Sequence, residues 1–140
     1  MKLTRRYKFC ASHRLHAAAL SDEENRAVYG KCNNPYGHGH DYVLEVCVKG
    51  PLDAETGRVV DVAVLDQLVS GGVLRDLDHK FLNVEVAEFT DVSPTTENLS
   101  LMVKNRLMAG WADTFPEGRP KLELVRIQET RRNTIEVRTD

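Results

Sequence analysis

Gly39-His40-Asp41-Tyr42-Val43-Leu44-Glu45-Val46-Cys47-Val48-Lys49 places Tyr42, Leu44, Val46 and Val48 on one side of an extended chain and Asp41, Glu45 and Lys49 on the other. Successive side chains of a strand face opposite ways, so this alternation predicts a strand with one buried face, the mark of an antiparallel sheet. Gly50-Pro51 ends it. Upstream, Leu3 to Leu15 alternates more loosely and reads as a partner strand, followed by an excursion from Ala17 to Gly30. Ser21-Asp22-Glu23-Glu24 has the form of a capping box, so a short helix is expected to start there and carry the loop bearing Cys32. If the two strands pair antiparallel, His13 near the end of one meets His38 and His40 at the start of the other.

Downstream, Asp61 can cap a helix running to about Leu74, with Val62, Leu65, Leu68, Val69 and Leu74 at helical spacing and Gly71-Gly72 weakening its later part. A loop is expected from Arg75 to Pro94. Thr95 or Thr96 can cap a second helix through about Met108, burying Leu99, Met102, Val103 and Leu107, before Pro116, Gly118 and Pro120 break the chain. Lys121 to Thr130 and Asn133 to Thr139 are rich in β-branched residues and read as a terminal hairpin around Arg131-Arg132. The expected class is α+β with the order ββααββ: a four-stranded antiparallel sheet with two helices on one face. Its open edges and apolar strands predict an oligomer.

With 140 residues and 41% hydrophobic content, the chain fits a single domain spanning residues 1–140. Its 19 basic and 21 acidic residues are interspersed and leave a net charge of -2, so no field favours nucleic acid or an anionic membrane as a partner. The basic N-terminus lacks the apolar stretch of a signal peptide, and no run approaches the roughly 20 residues of a membrane span. A cytoplasmic location is expected. Three cysteines without a CxxC pair argue against a disulfide framework and leave room for a working thiol; Cys47, inside the alternating strand, reads as core.

Chemistry concentrates in Lys31-Cys32-Asn33-Asn34-Pro35-Tyr36-Gly37-His38-Gly39-His40 and the preceding Ser12-His13-Arg14. His38 and His40 are two apart, so an extended backbone points both to one face with Cα atoms about 6.5 to 7 Å apart, a span over which two nitrogens can converge on one ion. With His13 as a third ligand the metal keeps an open position, as catalytic zinc does. Two other uses of these residues stay open. Cys10, His13, His38 and His40 could form a closed structural site in a non-catalytic binding module. A metallohydrolase of the HxHxD kind meets Tyr42 where its aspartate should be. His16 reads as a surface residue.

Phe9-Cys10-Ala11-Ser12-His13-Arg14-Leu15, the Cys32 to His40 segment, Leu77-Asp78-His79-Lys80 and Thr95-Thr96-Glu97-Asn98 occur in an order that resembles the 6-pyruvoyl tetrahydropterin synthases, from Phe9 to about Asn133. Cys10, where relatives often carry Ser, and a longer stretch from Trp111 to Lys121 depart from the pattern without touching its core motif. The resemblance implies the tunnelling fold, in which subunit sheets close into a trimeric barrel and two trimers stack as a hexamer. It implies that His13, His38 and His40 bind zinc, that Cys32 is the general base, and that Asp78 and His79 complete a relay with Cys32 from a neighbouring subunit. Glu129 matches the family's pterin anchor, and Thr95 and Thr96 fall on the substrate side with it.

The implied substrate is 7,8-dihydroneopterin triphosphate and the implied product 6-pyruvoyl tetrahydropterin, formed by moving protons along a hydroxylated side chain while triphosphate leaves. Zinc on three neutral imidazoles keeps its full charge and can polarise the side-chain oxygens. The triphosphate would seek cations such as Arg14, Lys31, Lys80 or Arg131, with magnesium as an ion it can bring with it. The sister activity, 6-carboxytetrahydropterin synthesis in the queuosine route, uses the same substrate. There the cysteine usually lies only three residues before the HGH, whereas five residues separate Cys32 from His38 here.

Overall fold

The structure, a computed structural model, describes residues 1–140. Strands β1 (Lys2–His13) and β2 (His38–Lys49) pair antiparallel over their whole length, Lys2 opposite Lys49 and His13 opposite His38. Between them the excursion forms helix α1 (Asp22–Tyr29), whose capping box is complete, and a 3₁₀ turn at Gly30–Asn33. Asn25, buried in α1, makes this excursion compact: its amide donates to the carbonyls of Ala17, Leu20 and Ser21 and its oxygen accepts from the Ala17 amide.

Helix α2 (Val62–Val69) is capped by Asp61, which accepts from the amides of Ala63 and Val64. Gly71-Gly72 does not end it. A π turn at Ser70–Leu74 and a last turn α3 (Arg75–Leu77) continue the helix, because Leu65, Val69, Val73 and Leu77 are all fully buried and their packing outweighs the roughly 1 kcal/mol that each glycine costs.

The stretch expected to be a loop then contributes structure of its own. Strand β3 (Lys80–Phe81) pairs parallel with β1 through Ala11 and Ser12, and two short helical turns follow, α4 (Leu82–Glu85) and a 3₁₀ turn at Ala87–Phe89. The expected four-stranded antiparallel sheet is therefore a five-stranded mixed sheet in the order β3-β1-β2-β4-β5. Two paired residues are too few for side-chain alternation, which is why β3 leaves no sequence signal.

Helix α5 (Thr96–Thr114) is capped by Thr95 and runs six residues past Met108. Its extra turns are held by Trp111, buried with Phe115, whose indole N–H donates to the Pro120 carbonyl over 2.9 Å. Gly110 sits where α5 crosses α2: a Cβ there would stand 3.0 Å from Leu68. No helix is long and apolar enough to cross a membrane.

Strands β4 (Lys121–Thr130) and β5 (Asn133–Arg138) form the expected terminal hairpin. The β2–β4 register slips by one residue beside Cys47 and Val48, which lets Leu122 as well as Val125 and Ile127 face inward. These residues join Phe9, Tyr42, Leu44, Val46 and Val48 against α2 and α5 in a core of 23 buried side chains. Cys47 is buried and unpaired, as the alternating strand implies.

Candidate active site

The β1–β2 register places His38 opposite His13 and His40 opposite Ala11, so all three imidazoles lie on the core face of the sheet at its open end. The Nε2 of His13 is 3.1 Å from that of His38 and 3.2 Å from that of His40. Four-coordinate zinc with bonds of about 2.0–2.1 Å separates its nitrogens by about 3.3–3.4 Å, so the three atoms stand close to a coordination sphere. His13 is fully buried, and its Nδ1–H donates to the Pro94 carbonyl over 2.9 Å, which leaves Nε2 with its lone pair toward the other rings. A buried lone pair turned toward two other imidazole nitrogens fits a metal ion. Burial first, and the neighbouring imidazoles after it, holds the His13 ring below the usual histidine range, and burial does the same to His40. Both favour the neutral form that a ligand needs.

The turn before His38 is built to present it. The Gly37 amide donates to the Asn34 carbonyl over 2.8 Å and the Tyr36 amide to the Asn34 side chain. Gly37 has φ +75°, and a Cβ there would meet Phe81 at 2.9 Å and the His13 carbonyl at 3.0 Å, so glycine is required on both counts.

Cys32 is anchored from the other side: its carbonyl accepts from the Leu15 amide over 2.7 Å, and buried Asn33 donates to the Leu15 carbonyl over 2.7 Å. His16, expected at the surface, is half-buried instead, with its Nδ1 3.1 Å from the Asn33 amide nitrogen, so it props the turn that carries the thiol. Sequence spacing gave no hint of that role.

Two groups flank the imidazoles. The Cys32 sulfur and the ligating nitrogens of His13 and His38 all lie within 4.8 Å of one another, as do a Glu129 oxygen and those of His13 and His40. Glu129 lies 3.6 Å from His40 Nε2, and its other oxygen accepts a short hydrogen bond from the hydroxyl of buried Thr96. Burial, and then the Glu129 charge, pushes the Cys32 thiol up. Cys32, Thr95, Thr96 and Glu129 share the wall of a cavity of about 480 Å³ with Leu15, Tyr29 and Arg132.

Two other groups that the sequence singles out lie away from the thiol of the same chain. Cys10 points to the opposite face of β1 from His13, beside Asp41, so it cannot close a four-ligand site with the histidines. Asp78 and His79 are brought together, 3.6 Å apart, but do not line the Cys32 cavity. They extend the β3 edge: the Cys10 amide donates to Asp78, the His79 amide donates to the Cys10 carbonyl, and the His79 side chain, at φ +60°, is 80% exposed.

The fold and site define an α+β chain with a candidate three-histidine metal centre that opens, past a thiol and a carboxylate, onto one cavity. The model of the family described as 6-pyruvoyl tetrahydropterin synthase matches residues 2–140. A Poecilia reticulata protein named 6-pyruvoyl tetrahydrobiopterin synthase is 44% identical over 95% of this chain and 86% of its own, and the Homo sapiens protein of that name is 41% identical over 96% and 88%. The structure titled as Caenorhabditis elegans 6-pyruvoyl tetrahydropterin synthase superposes with a TM-score of 0.90 at 35% identity, covering 100% of this chain and 96% of that one. This chain belongs to the 6-pyruvoyl tetrahydropterin synthase family.

Proposed function

We propose that this chain, acting as one domain over residues 1–140, converts 7,8-dihydroneopterin triphosphate to 6-pyruvoyl tetrahydropterin with loss of inorganic triphosphate. The observation that carries the reading is the convergence of three imidazole nitrogens beside Cys32 and Glu129, in a chain of this family.

Glu129 holds the pterin, its carboxylate accepting from the amino and ring N–H groups along the flat donor edge, while the Thr96 hydroxyl fixes its rotation. Thr95 acts beside it by capping α5 and thereby setting the position of Thr96. The pterin side chain then extends toward His13, His38 and His40. Zinc bound there would polarise the side-chain hydroxyl oxygens and make the adjacent C–H protons easier to remove. Cys32 takes and returns those protons as general base, with its turn locked to Leu15 so that the sulfur stays on the substrate side. Burial and then the Glu129 charge raise this thiol, so it works as a base only with a positive charge close by.

Asp78 and His79 would complete the relay from a neighbouring subunit. Support for that reading comes from their place on the exposed β3 edge, while Glu129 and the cavity lie toward β5, the other edge. Head-to-tail association of these two edges closes a trimeric barrel, and two trimers make the hexamer; the enzyme works in the cytoplasm without nucleic acid or membrane. The triphosphate can bring magnesium with it.

Product analysis tests the reading. Zinc-loaded protein given dihydroneopterin triphosphate should release triphosphate and 6-pyruvoyl tetrahydropterin. Acetaldehyde together with a 6-carboxylated pterin would overturn it and establish the sister activity instead.

A further inference from the structure

The four cations that the sequence offers for the triphosphate are not equivalent in three dimensions. Lys80 belongs to the β3 edge and Arg131 to the β4–β5 turn, and neither lines a cavity with the Cys32 turn. Arg14 and Lys31 do share one, a groove of about 270 Å³ also lined by Gly30 and Asn33 of the turn whose Cys32 lines the other cavity. A third cation that the sequence reading did not single out, Arg26 in the last turn of α1, joins them there.

None of the three is in an ion pair, whereas Arg5 pairs with Asp66 and Arg106 with Asp76 and Glu88. The one acidic group on the groove wall is Asp22, exposed at the start of α1 and not within ion-pair distance of any of the three. Three cations left without counter-charges around one concavity keep their attraction for an external anion.

Arg14 is held in place on the groove wall. Arg14 has its main chain clamped by Asn83, which accepts from the Arg14 amide over 2.8 Å and donates to its carbonyl over 2.7 Å, and its Nε–H donates to the Asn33 carbonyl. Arg26 and Lys31 are exposed on α1 and on the turn that follows it, an excursion whose backbone Asn25 orders through four hydrogen bonds to residues 17–21.

We infer that Arg14, Arg26 and Lys31 form the subsite for a polyphosphate, and that its occupant is the triphosphate tail of the substrate. Lys31 and Cys32 are consecutive, so their Cα atoms lie about 3.8 Å apart. A substrate whose side-chain carbons reach the thiol would therefore have its terminal phosphates within a few residues of the groove that Lys31 lines. This assignment rests on the proposed reaction for the identity of the tail, but not for the anion site itself.

Titration calorimetry with inorganic tripolyphosphate, on the intact assembled protein, separates the two. Wild-type protein should bind it, with affinity falling at least about tenfold in Arg26→Ala and again in Lys31→Ala, the size of one lost charge-assisted contact. Arg132→Ala, which alters the pterin cavity instead, should bind it as wild type does. With dihydroneopterin triphosphate, both groove variants should raise KM by a similar factor at little cost in kcat, and binding of neopterin, which lacks phosphate, should be unchanged. Equal tripolyphosphate affinity in all four proteins, a loss only in Arg132→Ala, or no binding by wild type would overturn the subsite. Cation-dependent tripolyphosphate binding without turnover of the substrate would uphold the anion site and sink the proposed reaction; weakened tripolyphosphate binding with an unchanged KM would remove the substrate tail as its occupant.

Discussion

His13, His38 and His40 sit at the end of the two longest strands, whereas Asp78 and His79 sit on a two-residue edge strand. The first group has its geometry finished within one chain: twelve paired residues fix the register, Pro94 fixes the His13 tautomer, and the three nitrogens stand 3.1 and 3.2 Å apart. The second has only its backbone fixed, and its imidazole projects into solvent. A metal needs ligands held by paired backbone before it arrives, while the relay proposed for Asp78 and His79 would need a side chain left free at the edge to reach another subunit.

The largest expected effect comes from breaking the finished group. His13→Ala removes the central ligand and leaves Pro94 without its donor, so metal content measured by atomic emission should fall to near zero and turnover with it; full metal occupancy would show that His13 is not a ligand. Cys32→Ala should keep the metal and the fold but lower kcat by roughly 10²- to 10⁴-fold, the range of general acid–base catalysis. Unchanged turnover in that variant would remove Cys32 from the chemistry.

An intermediate effect follows from acid. His13 and His40 are held below the ordinary histidine value, so the folded metal-free chain resists protonation while the unfolded chain accepts it at about pH 6.5. Their contribution to stability is therefore complete above that pH and is lost progressively as pH falls below it. The melting temperature of metal-free protein should drop between about pH 7 and 5.5, and a His13→Gln, His40→Gln variant should show a shallower drop; identical slopes would contradict the assigned burial. The smallest expected effect is that of Thr95→Ala, which removes the α5 cap and should cost about 1 kcal/mol in denaturant unfolding. Thr96→Ala differs from it in kind: it frees Glu129 and should raise KM.

Much of this arrangement was legible in the sequence, because strands of ten to twelve residues alternate visibly and caps have characteristic side chains. Ser21, Asp61 and Thr95 all cap as their types suggest, and antiparallel pairing alone predicted that the three histidines would meet. What could not be read lies where tertiary packing overrules local preference or where an element is too short to have a period. Gly71-Gly72 remains helical because four buried side chains hold it, β3 is two residues long, and α5 continues past Met108 because Trp111 finds a carbonyl at Pro120. The supporting side chains of the site, Asn25, Asn33, His16 and Asn83, were silent for a related reason: each bonds to backbone distant in sequence or to a turn, and residue type alone does not reveal such partners.

The contrast between a group completed in one chain and a group awaiting another is tested most directly by mixing subunits. Cys32→Ala and His79→Ala proteins, each nearly inactive alone, should regain a substantial fraction of wild-type turnover when coexpressed or reassembled together, because some interfaces then pair an intact Cys32 with an intact His79. Mixed assemblies that form but stay as inactive as their parents would contradict a site shared between subunits.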